Sequence, residues 1–356
     1  MDETLDIRLM KGNEAMAEAA IQAGCDAYFG YPITPQSEVP EYLSREMQLR
    51  GGVFLQAESE VAAINMVYGA AGAGARVMIS SSSPGISLMQ EGISYIACAQ
   101  LPCLIVNVNR GGPGLGTIQP SQGDYFQSTK GGGHGDYRLI VLAPNSVQEM
   151  ADFVYLGFEL AEKYRNPVLM LSDGAIGQMM ERVVFRKKEL KKVDKPWATT
   201  GKTPDRQRNI ITSLFMQPEV MEKVNLSLLA KYKEIEKNEV RYEEIMTDDA
   251  DFLIVAYGLS ARIAHKTIEL ARESGLKWGL LRPITLFPFP YDKIKELSSK
   301  VKAISTVELN MGQMLEDVRL AVEGKVPVSH YGRLGGIIPS PEEVKENLEK
   351  FFNSVK

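Results

Sequence analysis

Three cysteines and three histidines are all that 356 residues offer of the softer metal ligands. Cys25, Cys98 and Cys103 stand in apolar surroundings without a Cys-x-x-Cys pair, so they read as small core residues. The chain by itself builds neither a disulfide framework nor an iron-sulfur cluster. His134, His265 and His330 are widely separated and none falls in a His-Glu-x-x-His spacing, which argues against a protein-built zinc site. A basic excess is also missing. With a formal net charge of -5 and cations scattered among acids, the surface lacks the clustered positive field that phosphate backbones require. No apolar run approaches the roughly 20 residues that span a bilayer. The N-terminal MDETLDIRLMKGNEA carries acids and lacks the apolar core of a signal peptide, which predicts a cytoplasmic protein.

What is present is an ordinary globular composition, 44% hydrophobic and 24% charged, long enough for two domains. From Gly12 onward helical and strand patterns alternate. Asn13 is the expected cap of a helix through Ala23 that Gly24 ends; 27–30 reads as a strand; the Pro32-Ile33-Thr34-Pro35 turn leads to a helix through about Met47 with Ser37 as cap. A short buried strand at 53–56 and a Ser59-capped helix over 60–73 follow. A strand at 76–79 runs into a loop at Ser80–Gly85, then a helix over 86–99, a strand at 104–108, and strands at 139–143 and 168–171 separated by a helix that Ser146 caps. Residues 1–185 thus read as an open parallel α/β sheet of about six strands. The stretch 186–250 reads as a charged connecting segment with one exposed helix, and 251–356 as a smaller α/β domain. There is no internal repeat.

Four features carry chemistry. Glu60 opens a helix rich in Ala62, Ala63, Ala70, Ala71 and Ala73, small residues that let a neighbouring backbone come close. Burial in apolar surroundings favours the protonated form of a carboxyl and suits it to proton transfer; the helix dipole is an equally sufficient reason for an acid at this position. The stretch RGGPGLGTIQPSQGD at 110–124, followed by KGGGHGDY at 130–137, is a glycine-rich backbone after a strand. Such loops in compact domains are more often functional than decorative. Its spacing fits neither GxGxxG nor GxxxxGK[ST]. Arg110, at the strand's end, suits the bidentate gripping of a carboxylate, or an ordinary surface ion pair. Thr34 offers a hydroxyl from a rigid turn, or a helix cap.

Taken together, YPITP at 31–35, QAESEVAAINMVYGAAGAGA at 56–75, SSSSPGISLMQEG at 80–92, NRGGPGLGTIQPSQGDYFQ at 109–127 and KGGGHGDYR at 130–138 resemble the alpha subunit of the 2-oxoacid:ferredoxin oxidoreductases. GLSARIA at 258–264, LLRPITLFPFP at 280–290 and VELNMGQM at 307–314 resemble the second domain of that family. Within it the chain is closest to the branched-chain, 2-oxoisovalerate type. The resemblance implies a thiamine-diphosphate-binding, pyrimidine-type sheet domain plus a smaller transketolase C-terminal-like domain. It also implies oxidative decarboxylation of a 2-oxoacid to an acyl-coenzyme A, with electrons passed singly to ferredoxin. Glu60 falls on the family's cofactor-activating glutamate, which shares a proton with the aminopyrimidine ring. Arg110 and Thr34 fall on its contacts to the substrate, with Ile33 beside them. Pro32, Ser82, Ser83 and Gly85 fall at the cofactor.

By comparison with the family, a Gly-Asp-Gly motif for the diphosphate is missing; Asp173-Gly174 is the nearest partial match, preceded by Ser172. Magnesium and the diphosphate half-site are therefore expected on a beta subunit. The iron-sulfur clusters are expected on a ferredoxin-like subunit, beside a gamma-type chain and external ferredoxin, with coenzyme A as co-substrate. Pyruvate, 2-oxoglutarate or aryl pyruvates remain alternative substrates, and a non-catalytic subunit retaining the fold is the alternative role. The isolated polypeptide is expected to be inactive; 2-oxoacid decarboxylation by the purified chain alone would refute the shared site.

Overall fold

The computed structural model describes residues 6–185 and 190–355; the junction expected at 186 lies outside them. The larger sheet has seven strands, in spatial order Thr285–Phe287, Ile140–Leu142, Val168–Asp173, Leu104–Asn109, Val77–Ser81, Ala27–Gly30 and Val53–Gln56. All neighbours pair in parallel except the first two. The central strands are apolar on both faces because helices cover both. Leu104, Val106 and Val108 enter one core while Ile105 enters the other, and the same alternation holds at Val168, Leu169 and Met170.

The smaller sheet has five strands, ordered Val328–Gly332, Ala303–Glu308, Phe252–Val255, Trp278–Pro283 and Tyr242–Ile245, the last antiparallel. The two sheets are not separate bodies. Thr285–Phe287 leaves the smaller unit to pair with Ile140–Leu142, and both cores continue through both sheets, with Phe252 and Ile254 in one and Leu253 and Val255 in the other. Two long helices of the larger unit, Glu60–Gly72 and Ser83–Cys98, pack closely through Gly92, where a Cβ would lie 2.5 Å from Ile64 Cγ2.

Several expectations are corrected. The first helix runs Gly12–Gln22 with Lys11, not Asn13, at its N-cap. Asn13 is fully buried, and its Nδ2 donates to Pro35 O at 2.8 Å and Glu38 Oε2 at 2.9 Å; those long-range acceptors replace the local cap. Val53–Gln56 is the sheet's edge, so Val53 and Leu55 are exposed rather than buried. Ser80 and Ser81 belong to the strand and Ser83–Gly85 to the first helical turn, because Pro84 is well suited to that position. The larger sheet has seven strands, not six, because the seventh arrives from the far end of the chain. The stretch 186–250 contains the helix Pro218–Asn238, and its end, Tyr242–Ile245, is already a strand of the smaller sheet. A ribbon of Asp6–Lys11 with Met180–Phe185 was not foreseen, since its partners are remote in sequence.

Arg76 ties the larger sheet to the segment after it. Its side chain is 4% exposed and donates to Glu162 at 3.1 and 2.8 Å and to the carbonyls of Ala23 and Leu190, while Lys195 reaches Glu162 at 2.9 Å. Breaking a buried pair strands a charge, at a cost of about 3 to 5 kcal/mol. Arg76→Ala is expected to lose about that much stability in chemical denaturation; a loss below about 1 kcal/mol would refute the clamp.

Candidate active site

Four adjacent parallel strands end side by side and deliver the expected residues to one edge. Arg110 follows Leu104–Asn109, Ser82–Gly85 follow Val77–Ser81, Pro32–Thr34 follow Ala27–Gly30, and Glu60 follows Val53–Gln56. This carboxyl edge is where open α/β sheets bind ligands.

Ser59 caps the helix that Glu60 opens, its Oγ accepting from Ala62 N at 3.2 Å. Glu60 is 6% exposed and faces the first turn of the next helix. A Cβ at Gly85 would lie 2.5 Å from Glu60 Oε1 and 2.1 Å from Ser81 Oγ, so only glycine lets these groups meet. Ser81 Oγ, Ser82 Oγ and Asn109 Nδ2 are buried beside this turn without hydrogen-bond partners among the described residues. Unsatisfied buried polar atoms are costly, and a cluster of them at one edge points to a polar ligand.

Ser83 is engaged within the protein. Its Oγ donates to Asp124 Oδ2 at 2.6 Å and accepts from Arg110 N at 3.0 Å, and its N donates to Asn107 Oδ1 at 3.1 Å. Burial pushes the Asp124 carboxyl up, against the lowering effect of Ser83 and Asn107. Arg110 Nη1 donates to Thr34 O at 3.0 Å and Nη2 to Leu115 O at 2.9 Å, while Nε is buried without a partner. Thr34 therefore meets Arg110 through its carbonyl, and its side chain is not the cap of the following helix, which Ser37 precedes. Ile33 is half-buried and Pro32 exposed in the same turn. The loop after Arg110 closes on itself: Thr117 N donates to Gly111 O at 2.8 Å, and a Cβ at Gly116, whose φ is +60°, would lie 1.7 Å from that oxygen.

Asn107, Asn109, Asp124 and Gln122 were missed. The first two had a signal, since alternate asparagines interrupt the otherwise apolar LIVNVN strand. Asp173 caps the helix Gly174–Gln178 by accepting from Ala175 N and Ile176 N, and burial raises its carboxyl to about 6. No group of three or more His, Cys, Asp or Glu suited to a metal occurs among the described residues. Clefts of about 730 and 1140 Å³ open elsewhere, around Lys130, Arg138 and Glu236. Val61, Leu88, Leu115 and Ile118 are exposed on the segments that carry the site, among exposed polar neighbours such as Glu58, Ser87 and Gln119.

Residues 18–246 match the model of the pyruvate flavodoxin/ferredoxin oxidoreductase, thiamine-diphosphate-binding family, and residues 250–344 that of pyruvate:ferredoxin oxidoreductase core domain II. The chain belongs to the 2-oxoacid:ferredoxin oxidoreductase family. It is 52% identical to the ketoisovalerate oxidoreductase subunit VorB of Methanothermobacter thermautotrophicus, over 96% of this chain and 97% of that protein. It is 36% identical to the 2-oxoglutarate synthase subunit KorA of Methanocaldococcus jannaschii, over 96% and 99%. The 2-oxoglutarate:ferredoxin oxidoreductase of Magnetococcus marinus superposes with a TM-score of 0.87 at 27% identity, over 97% of this chain and 65% of that longer one. An inactive split-gene transketolase, at 12% identity and a TM-score of 0.58, shares the fold alone.

Thiamine diphosphate is the cofactor of this family, and the edge fits its aminopyrimidine end: a buried carboxyl, a cradle that a Cβ would fill, and unpartnered serine hydroxyls. Gly85→Ala must displace Glu60 or the helix start. Turnover of the assembled enzyme is expected to fall about 100-fold or more, as for an ångström-scale misplacement. Wild-type turnover by Gly85→Ala would show that the Glu60 contact is irrelevant.

Proposed function

We propose that the chain is the pyrimidine-binding alpha subunit of an oxidoreductase acting on branched-chain 2-oxoacids, 2-oxoisovalerate foremost. The observation that carries the chemistry is the buried Glu60 carboxyl pressed against Gly85 at the edge that also holds Arg110. The substrate preference is supported by the greater similarity to the ketoisovalerate subunit than to the 2-oxoglutarate subunits. Thiamine diphosphate, when bound, supplies the carbanion stabilisation that lets a 2-oxoacid lose carbon dioxide. Glu60 holds or releases a proton at its carboxyl, shielded from water by Gly85 and the helix start. Ser81, Ser82 and the Pro32–Ile33 turn line the same edge. Arg110 binds the substrate carboxylate: a guanidinium has five N–H donors, so each terminal nitrogen keeps a second hydrogen after serving Thr34 O and Leu115 O.

The exposed apolar side chains of Val61, Leu88, Leu115 and Ile118 and the missing Gly-Asp-Gly motif support a site completed by a beta subunit that holds the diphosphate and magnesium. Ferredoxin-like and gamma-type chains carry the clusters and complete the assembly, in the cytoplasm. In functional terms residues 1–185 are the pyrimidine-binding domain, 186–241 the connection and 242–356 the transketolase C-terminal-like domain, which takes in the strand Tyr242–Ile245 and lends Thr285–Phe287 back to the larger sheet.

Removing a positioned acid or base costs about 10² to 10⁴ in rate. Glu60→Gln in the assembled complex is expected to reduce ferredoxin or viologen at least about 100-fold more slowly; a wild-type rate would refute the proton role. Across a panel of 2-oxoacids, branched chains are expected to give the highest kcat/KM, and a preference for 2-oxoglutarate would overturn the substrate assignment.

A further inference from the structure

The glycine-rich stretch after Arg110 ends in Ser121-Gln122-Gly123-Asp124, where the two sheets are joined by polar contacts. Gln122 Nε2 donates to Tyr257 O at 2.9 Å, and its Oε1 accepts from Ser260 Oγ at 2.7 Å and Leu309 N at 3.0 Å. Its carbonyl accepts from Asn310 Nδ2 at 2.8 Å and Tyr257 OH at 3.2 Å, and its N donates to Leu309 O at 3.1 Å. Gln313 spans the next step, its Nε2 donating to Gly123 O at 2.7 Å and its Oε1 accepting from Phe126 N at 2.8 Å. The loops and helix starts that follow two strands of the smaller sheet therefore grip residues 121–126 from one side.

From the other side Asp124 Oδ2 accepts from both Ser83 Oγ, at 2.6 Å, and Asn107 Nδ2, at 2.8 Å. Ser83 Oγ in turn accepts from Arg110 N at 3.0 Å, and Ser83 opens the helix whose Gly85 touches Glu60. A carboxylate with two short donors is a stiffer joint than a neutral acceptor, because charge-assisted hydrogen bonds are shorter and stronger. Apolar packing alone would let the first turn of that helix slide by a fraction of an ångström; a satisfied polar joint has one geometry.

We propose that Asp124 is a positioning residue of the site: it fixes Ser83, and through Ser83 both the Gly85 cradle and the Arg110 backbone, in a register that the second sheet imposes through Gln122 and Gln313. It rests on the reading of Glu60 and Arg110 as cofactor and substrate residues, and it gives the smaller domain a task in the reaction beyond completing the core.

The test uses the complex assembled with its partner chains and reads three quantities: the thiamine diphosphate dissociation constant by calorimetric titration, KM and kcat for the 2-oxoacid with a viologen acceptor, and the melting temperature. Asp124→Ala is expected to raise the cofactor dissociation constant and the 2-oxoacid KM about tenfold, the scale of one lost charge-assisted hydrogen bond. Asp124→Asn, whose amide oxygen accepts the same two hydrogens without the charge, is expected to recover part of both. Equal losses in the two variants would overturn the acceptor role, and unchanged constants with a lowered melting temperature would reduce Asp124 to a structural residue. Should Asp124→Ala fail to assemble, Ser83→Ala and Gln313→Ala approach the same joint from its two ends. Both are expected to raise the same constants, and wild-type constants in both overturn the proposal. Full turnover by Glu60→Gln in this assay would sink the site reading itself. Unchanged constants in the Asp124 series beside an inactive Glu60→Gln would sink only the positioning role.

Discussion

The polar seam from Glu308–Gln313 through Gln122 and Asp124 to Ser83 is the joint on which the arrangement of the site depends. The two hydrophobic cores supply cohesion, but hydrophobic attraction is non-directional and tolerates small slips. The seam lies where the cores meet the carboxyl edge of the larger sheet. There each buried amide and carboxylate has particular partners, so a slip would leave polar groups stranded at about 1 to 3 kcal/mol each. Glu308 extends the same logic, its fully buried carboxylate accepting from Met314 N at 2.8 Å and Leu315 N at 3.0 Å at the start of the helix Gln313–Val322. An acid at a helix N-terminus is favoured by the backbone dipole, so this burial is compensated.

Given that frame, Glu60 and Arg110 follow from absences of bulk. Gly85 removes a Cβ between the carboxyl and the next helix, Gly92 lets the two helices close, and Gly116 allows the loop that returns Leu115 O to Arg110. Glycine is expensive in conformational entropy, and these positions show where that cost yields close approach. On the same segments Val61, Leu88, Leu115 and Ile118 are exposed. Exposed apolar side chains beside the proposed site suit one that two chains share, since water is then excluded only on assembly.

Much of this was legible in the sequence. Strand 27–30, strand 53–56, the helices capped by Ser59 and Ser146, and the resumption of strands at Phe252 all stand close to where local signals put them. The signals failed where a distant partner decided the matter. Asn13 looks like a cap and instead serves Pro35 and Glu38. Val53 and Leu55 look like core and stand on an edge, because alternation of apolar residues does not say which strand is last. Ser83 looks like part of a flexible serine loop and begins a helix, held by Asp124 and Asn107 from beyond it.

Fold class, family and the placing of Thr34, Glu60, Gly85 and Arg110 after successive strands can be read along the chain, because hydrophobic period, turn chemistry and motif are local properties. That these ends are neighbours on one edge, that Thr285–Phe287 closes the larger sheet, and that Gln122 and Asp124 join the smaller unit to the site emerges from the folded arrangement. Strand order and buried hydrogen bonding depend on groups far apart in the chain. Their partners are chosen by what remains unsatisfied once the cores have closed.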